Sequence, residues 1–313
     1  MLRNLSKRSR YFVLAAIIAG LLYALLFYTP PYGGLWTRVF FDSLHVPVFG
    51  LIAVGVFLLW RPERPWAWRA SMAFAASCAL GLLSEIAQIA TSRDASFNDF
   101  IADCLGASGF LGLAVAILPG HDLKWARRTV AGALGAILLG WALTPLALVS
   151  AAYLERNQQV PVIFAADNSF GRRLVRAQNI RYELAKPAKG GEPYAAISFL
   201  DAPWPGIALH DIWPDWRSYT TLVIDIGIDG ERALAVGLRV HDDAHRFSKR
   251  FNDRYNRIFD LDPGRHLLRI PLNDLKYAPA NREMDLGSVS ELIIFGTQAE
   301  AERSFRLYGI RLE

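Results

Sequence analysis

Five long apolar runs fill the first half of this 313-residue chain, and no other feature limits its folding as strongly. They cover about 11–28, 40–60, 68–90, 98–118 and 129–152. Each is close to the roughly 17 to 25 apolar residues that carry a helix across a bilayer. In lipid the backbone has to satisfy its own hydrogen bonds, so such runs fold as helices in a bundle. The apolar share of 53% is spread unevenly. After about Leu154 the chain turns to short segments with frequent charges, the composition of an ordinary soluble protein. An α + β two-domain chain is expected: a five-span transmembrane helical bundle over 1–154, then a second domain over 160–313.

The loops between the runs set the orientation. "MLRNLSKRSR", "RPERPWAWR" and "HDLKWARR" are rich in Lys and Arg, whereas "TPPYGGLWTR" and "TSRDASFND" carry one Arg each. The positive-inside rule places the amino terminus in the cytoplasm. An odd number of spans then sends the second domain to the periplasmic side of a multi-pass inner-membrane protein. The first run follows basic residues as a signal peptide does, but it continues into "TPPYGGLW" without a small-x-small cleavage pattern and reads as an uncleaved anchor. The net charge of +5 gathers in these cytoplasmic segments, which indicates membrane orientation and not nucleic-acid binding. Both cysteines, Cys78 and Cys104, lie inside apolar runs, so the second domain has no disulfide framework.

Ionisable residues at the ends of the runs are costly and need a reason. Asp42 and His45 stand near the start of the second run, Glu85 and Gln88 in the last turns of the third, and Asp99 and Asp103 in the first turns of the fourth. By the orientation above, all three ends reach the extracytoplasmic side. The i, i+3 and i, i+4 spacings put each pair on one helix face, and Arg93 occupies the short loop between the third and fourth runs. Plain structural readings exist. Ser96 and Asp99 have the form of a capping box, Arg93 suits an interfacial anchor, His45 suits a packing residue, and Glu85 suits an ion pair with Arg93 or His45. Against them, Glu85 near a helix C-terminus opposes the macrodipole, and ionisable residues at membrane depth mark functional sites. The candidate catalytic set is Asp42, His45, Glu85, Gln88, Arg93, Asp99 and Asp103. Such a set serves general acid–base work, divalent-cation binding, or the grip of an Arg on a phosphate or carboxylate of a lipid-linked molecule. No nucleophile motif, H-E-x-x-H, P-loop or CxxC selects a reaction. No metal and no cofactor is therefore assigned, and enzyme status stays open.

These residues in this order, Asp42, His45 and Phe49, then Glu85 and Gln88, then Arg93, Asp99, Asp103 and Gly106, resemble the VanZ-like family over about 35–117. Two positions depart from its pattern. Asp103 stands where the family has Asn, and the glycine after Gly106 follows at three residues, not four. The family is named for a teicoplanin-resistance protein, and its biochemical activity is unresolved. The resemblance implies a polytopic cell-envelope membrane protein with a link to envelope or glycopeptide-antibiotic resistance.

From about Val160 the segments "YAAISFL", "TTLVIDIGI", "ALAVGLRVH", "HLLRIPL", "ELIIFG" and "FRLYGIRL" have strand composition, and several alternate apolar and polar residues. Long helical periodicity is missing, and an antiparallel β-sandwich is expected. The order of these segments over 162–313 resembles a galactose-binding-like jelly roll of the kind shared by carbohydrate-binding modules, which implies a glycan ligand. Within "HDIWPDW" and "DDAHRFSKRFNDRYNR" lie aromatic faces for stacking on sugar rings and planar groups for hydroxyls. The ligand-binding candidates are His210, Trp213, Trp216, Asp242, His245, Arg250, Asn252, Asp253 and Arg254. The structural alternatives are that Trp216 packs in the core and that the Arg/Asp pairs form a solvated, salt-bridged surface.

Two functions follow. In the first, a non-enzymatic envelope protein binds a lipid-linked or cell-wall glycan at the outer face of the membrane. In the second, a membrane-embedded enzyme modifies a lipid-linked or cell-wall substrate through the His45/Glu85 cluster. The partners are membrane lipid and carbohydrate in both.

Overall fold

The computed structural model describes residues 6–27, 33–60, 63–89, 96–118, 123–168, 173–187 and 190–313. The chain divides into two compact units after Leu148. The first contains helices α1 (Lys7–Phe27), α2 (Leu35–Ser43), α3 (His45–Leu59), α4 (Trp66–Ile89), α5 (Phe97–Ile117) and α6 (Trp125–Ala142), and α7 (Thr144–Gln158) leads into the second.

Proline chemistry explains two helix breaks. A helix running through Leu44 would need the absent Pro47 N–H to bond to Ser43, and the ring would clash with that carbonyl. The chain instead restarts at His45, so Pro47 falls in the first turn of α3. Likewise α6 stops at Ala142 and α7 resumes at Thr144 with Pro145 in its first turn, the pair bent by 52°. This break falls inside the fifth of the five expected spans, 129–152. Among the described residues, three helical stretches are long and apolar enough to cross a membrane: Leu35–Leu59, Trp66–Ile89 and Phe97–Ile117. The bent pair makes a fourth if it counts as one span, while the apolar stretch of α1, Tyr11–Leu25, is shorter than these. Phe49, Ile52, Ala53 and Phe57 of α3 bury against Ala73 of α4 and Ala107 and Leu111 of α5. Close contact depends on Gly106, where a Cβ would lie 2.2 Å from the Val46 carbonyl oxygen. Cys78 and Cys104 meet across α4 and α5, their sulfurs 3.1 Å apart.

The second unit is built from two antiparallel sheets. One orders β3 (Ile180–Ala185), β4 (Tyr194–Phe199), β11 (Ser304–Leu312), β6 (Thr221–Ile228) and β9 (Gly264–Pro271), with β1 (Val162–Ala165) also on β11. The other orders β2 (Val175–Gln178), β5 (Gly206–His210), β10 (Val289–Phe295), β7 (Leu234–Asp242) and β8 (Tyr255–Leu261). The six segments singled out by composition all form strands. Alternation decides which face each residue takes. Leu292 and Ile294 of β10, Val236, Leu238 and Val240 of β7, and Ile207 and Leu209 of β5 turn inward. They share one core cluster with Leu222, Ile224, Phe305 and Leu307 of the first sheet. Their neighbours Glu291, Ile293, Phe295, Arg239, Ala208 and His210 take the opposite face. Two short helices, α8 (His245–Ser248) and α9 (Leu272–Lys276), follow β7 and β9.

Candidate functional site

In the helical unit, His45, Glu85 and Asp103 converge from three helices. The break at Leu44 makes His45 the first residue of α3, Glu85 lies near the end of α4, and Asp103 stands in the second turn of α5. Their exposures are 3%, 7% and 0%. His45 Nδ1 and Asp103 Oδ1 are 2.8 Å apart. One nitrogen or oxygen from each of the three residues lies within 4.8 Å of the other two. Glu85 Oε2 accepts the Ser96 backbone N–H at 2.7 Å, which ties α4 to the start of α5. Glu85 Oε1 and Asp103 Oδ2 are buried with no hydrogen-bond partner among the described residues. On α4, Gly81, Ser84, Glu85 and Gln88 are all buried and follow the i, i+3, i+4, i+7 rule of a single helix face. Gly81 leaves the room Asp103 uses, since a Cβ there would lie 2.7 Å from Oδ2.

The remaining candidates of that set lie around this knot and outside the three-residue group itself. Gln88 shares the buried face of Glu85, Asp99 is half-buried in the first turn of α5, and Asp42 is exposed on α2. Arg93 lies outside the described residues. The expected capping box does not form in full, because the Ser96 side chain makes no capping hydrogen bond. The partner of His45 is Asp103, not Glu85.

In the β unit, the outward face of the five-stranded sheet holds a groove of about 670 Å³. Gly206 and Ala208 keep its floor low, and Gly237 lies under Phe295, since a Cβ there would sit 2.4 Å from the ring. Trp204 meets Phe295 edge-on at 6.0 Å. The Arg239 guanidinium stands 5.2 Å from the Phe295 ring centre and that of Arg254 5.0 Å from Phe251. Arg176 adds a third cation at the β2 side.

Glu291, in the floor, meets two histidines: His210 Nδ1 is 2.8 Å from Oε1 and His241 Nε2 is 2.6 Å from Oε2. Burial by itself would raise the Glu291 carboxyl pKa, but the hydrogen bonds from His210 and His241 hold it well below the usual carboxylate range. Burial pushes the Arg239 and Arg254 pKa values down, and Arg254 is pushed further by the neighbouring positive Arg239. Both guanidinium groups still stay charged at neutral pH. Arg239 Nε, Arg254 Nε, His210 Nε2 and Asn256 Oδ1 are buried without a hydrogen-bond partner among the described residues. All four line the groove, and buried polar groups in native structures usually have a partner in protein, water or ligand.

Of the nine residues expected to bind a ligand here, His210 and Arg254 line this groove. Three of the others, Trp216, Asp242 and His245, are buried, contrary to the expectation of ligand contact, and Trp213 and Asp253 make internal hydrogen bonds. Trp216 is fully buried and donates from Nε1 to the Trp213 carbonyl at 2.7 Å, and Trp213 donates to the Asp215 carbonyl at 3.0 Å. Asp242 is fully buried and accepts Arg282 at 2.5 and 2.8 Å, the Asp285 N–H at 2.8 Å and the His245 N–H at 3.2 Å. His245 is buried against the His241 ring, 4.6 Å between centres. Asp253 accepts Arg282 at 2.6 Å and also the Ser248 hydroxyl. Arg250 and Asn252, with Asp253, edge a separate depression of about 480 Å³. Sequence reasoning missed Trp204, Arg239, Phe251, Glu291 and Phe295. Alternation along "ELIIF" was the available signal for Glu291 and Phe295, since Leu292 and Ile294 must face the core. Nothing local marks Trp204.

No family model matches the chain, and no curated protein matches it. Solved structures share distant similarity. An exo-beta-agarase is 16% identical at a TM-score of 0.39, over 49% of this chain and 24% of its own. A family 11 carbohydrate-binding module from Clostridium thermocellum, solved with a beta-1,3-1,4-mixed-linked tetrasaccharide, is 13% identical at 0.34, over 44% and 86%. The family 30 carbohydrate-binding module of a Clostridium thermocellum cellulosomal cellulase is 15% identical at 0.35, over 45% and 91%. This chain thus spans about a quarter of the agarase. At TM-scores this low, the ligand of this chain has to be read from its own groove.

Proposed function

We propose that the chain is a VanZ-like protein of the cytoplasmic membrane whose extracytoplasmic β-sandwich, of jelly-roll type, binds an acidic glycan, either in the wall or lipid-linked. The observation that carries this reading is the groove of the five-stranded sheet. Trp204 and Phe251, 62% and 69% exposed, supply ring faces for the apolar side of a sugar, and the buried Phe295 ring backs Trp204. The unpartnered Nε–H groups of Arg239 and Arg254 supply donors, and His210 Nε2, on a ring that donates from Nδ1 to Glu291, supplies an acceptor. Glu291 is already occupied by two histidines, so three arginines give the groove a net positive field. Guanidinium groups recognise carboxylate, sulfate and phosphate through paired, charge-assisted hydrogen bonds. The apolar helices Leu35–Leu59, Trp66–Ile89 and Phe97–Ile117 fit a membrane root for this binding unit. The resemblance carried by Asp42, His45, Glu85, Gln88, Asp99 and Asp103 supports the VanZ-like assignment. A part in envelope maintenance or glycopeptide resistance is the physiological expectation.

The test is calorimetric titration of the full chain in detergent with oligogalacturonides, sulfated oligosaccharides, a phosphate-bearing teichoic-acid fragment and neutral cello-oligosaccharides. At least one acidic ligand should bind, more weakly as salt rises. A hydrogen bond to a charged group contributes about 1.5 to 3 kcal/mol, so Arg239→Ala and Arg254→Ala should each cost about ten- to a hundredfold in affinity. Equal affinity for neutral and acidic sugars, or undiminished binding by both variants, would refute the acidic-glycan assignment.

A further inference from the structure

The helical unit contains a second arrangement that the glycan groove does not use. We infer that His45, Glu85 and Asp103 form a binding site for a first-row divalent cation of the Zn²⁺ or Mn²⁺ kind. Three observations carry this.

The first is convergence. α3, α4 and α5 each deliver one metal-competent side chain, and one donor atom of each falls within 4.8 Å of the others. Small residues make the approach: Gly106 lets α5 touch the Val46 backbone beside His45, and Gly81 yields the space beneath Asp103.

The second is the unsatisfied oxygens. Glu85 is 7% exposed and Asp103 is 0% exposed, yet Oε1 of the first and Oδ2 of the second have no hydrogen-bond partner among the described residues. The His45–Asp103 pair explains only one oxygen of Asp103, and the Ser96 N–H only one of Glu85. Among the described residues, His45–Asp103 is the single ion pair that either carboxylate makes. Two buried carboxylates beside one imidazole are, among the described residues, short of positive charge, and uncompensated charge is strongly disfavoured where water is scarce. A divalent cation supplies that charge and gives the idle oxygens a partner.

The third is the donor set. One imidazole nitrogen with two carboxylate oxygens suits Zn²⁺, Mn²⁺ and neighbouring first-row ions, whereas Mg²⁺ and Ca²⁺ favour all-oxygen surroundings. His45 ligates through neutral Nδ1, the atom now facing Asp103. Binding therefore exchanges the His45–Asp103 hydrogen bond for two metal bonds; the imidazole keeps one proton, on Nε2, and any further proton of the pair leaves to solvent. The site lies within the helical unit, so it stands or falls independently of the glycan groove.

The experiment uses the full chain, without a histidine tag, purified in detergent. Metal content is measured by plasma mass spectrometry as isolated, and again after chelator treatment and titration with Co²⁺, whose visible absorption reports ligation. About one equivalent of a first-row metal, or one saturable Co²⁺ site, is expected in the wild type. Asp103→Asn and Glu85→Gln keep side-chain shape, and each should weaken Co²⁺ binding by more than the roughly ten- to a hundredfold seen when only supporting contacts are lost. His266→Ala, in the β unit, should leave binding unchanged. If the variants aggregate, the wild-type titration decides alone. A chelated wild type that elutes as folded protein and shows no saturable Co²⁺ spectrum overturns the proposal. So does a Co²⁺ signal that both isosteric variants retain.

Discussion

Replacing Arg282 with Met should destabilise the β unit by about 3 kcal/mol at neutral pH and by progressively less in acid. Asp242 has no exposed surface, while Arg282 is 28% exposed. Removing one partner of such a pair leaves an uncompensated buried charge, a loss of about 3 to 5 kcal/mol in proteins. The low end applies because two backbone N–H groups, from Asp285 and His245, stay on the carboxylate. For a unit of this size, about 3 kcal/mol corresponds to a melting-temperature loss of roughly 6 to 12 °C. The pH dependence follows from the same contacts. Burial alone would raise the Asp242 carboxyl pKa, but the Arg282 hydrogen bonds and the two N–H groups hold it below 3.8. In the wild type this stabilisation is fully present above the unfolded-state value and disappears as pH falls toward the depressed folded value. Without Arg282 the burial effect gains weight and the pKa rises, so the variant sheds its penalty as Asp242 takes a proton. Urea unfolding of residues 149–313, followed by tryptophan fluorescence at pH 7 and pH 4.5, measures both effects. A penalty below about 1 kcal/mol, within the range of an ordinary surface ion pair, would refute the reasoning. So would a gap between variant and wild type that does not narrow in acid.

Three further outcomes are expected. The piece 149–313 has its own core, so it should express as a soluble protein with a β-type circular-dichroism spectrum and one cooperative transition; aggregation of every boundary variant would contradict that. Gly106→Ala places a carbon 2.2 Å from the Val46 carbonyl oxygen, so α3 and α5 have to separate, with a loss of about 1 to 3 kcal/mol visible as a lower aggregation temperature in detergent. A carboxy-terminal alkaline phosphatase fusion should be active; activity only in a cytosolic fluorescent reporter would reverse the proposed orientation.

The division of the chain into an apolar helical part and a β-rich part was legible because hydrophobic content and side-chain period are local properties. The alternation in "ALAVGLRVH" and "ELIIFG" fixes which side chains leave the core face whatever the rest of the fold does. Pro47 and Pro145 were equally readable as breaks, and it was the length of the apolar runs that hid them. Their consequence appears in the bend between α6 and α7 and in the placing of His45 at the head of α3.

What no local pattern contained is partnership. The structural reading of Glu85 was an ion pair with Arg93 or His45; Arg93 lies outside the described residues, and the partner of His45 is Asp103, across 58 residues of sequence. The choice depends on how far each helix turns about its axis, and that is settled by glycines such as Gly106 admitting a neighbouring backbone. The groove has the same origin. Arg239 and Arg254 stand on β7 and in the loop before β8, Phe295 on β10 and Trp204 before β5, and strand order alone makes them neighbours. Conversely, Trp216 and Asp242 read as ligand residues because aromatic rings and carboxylates look alike in sequence whether they face solvent or core. The sequence by itself determined which segments are helices, which are strands and which faces are apolar, since those follow from periodicity over a few residues. Only the tertiary structure decided which polar groups meet and which stay without a partner, because packing between distant segments sets those distances.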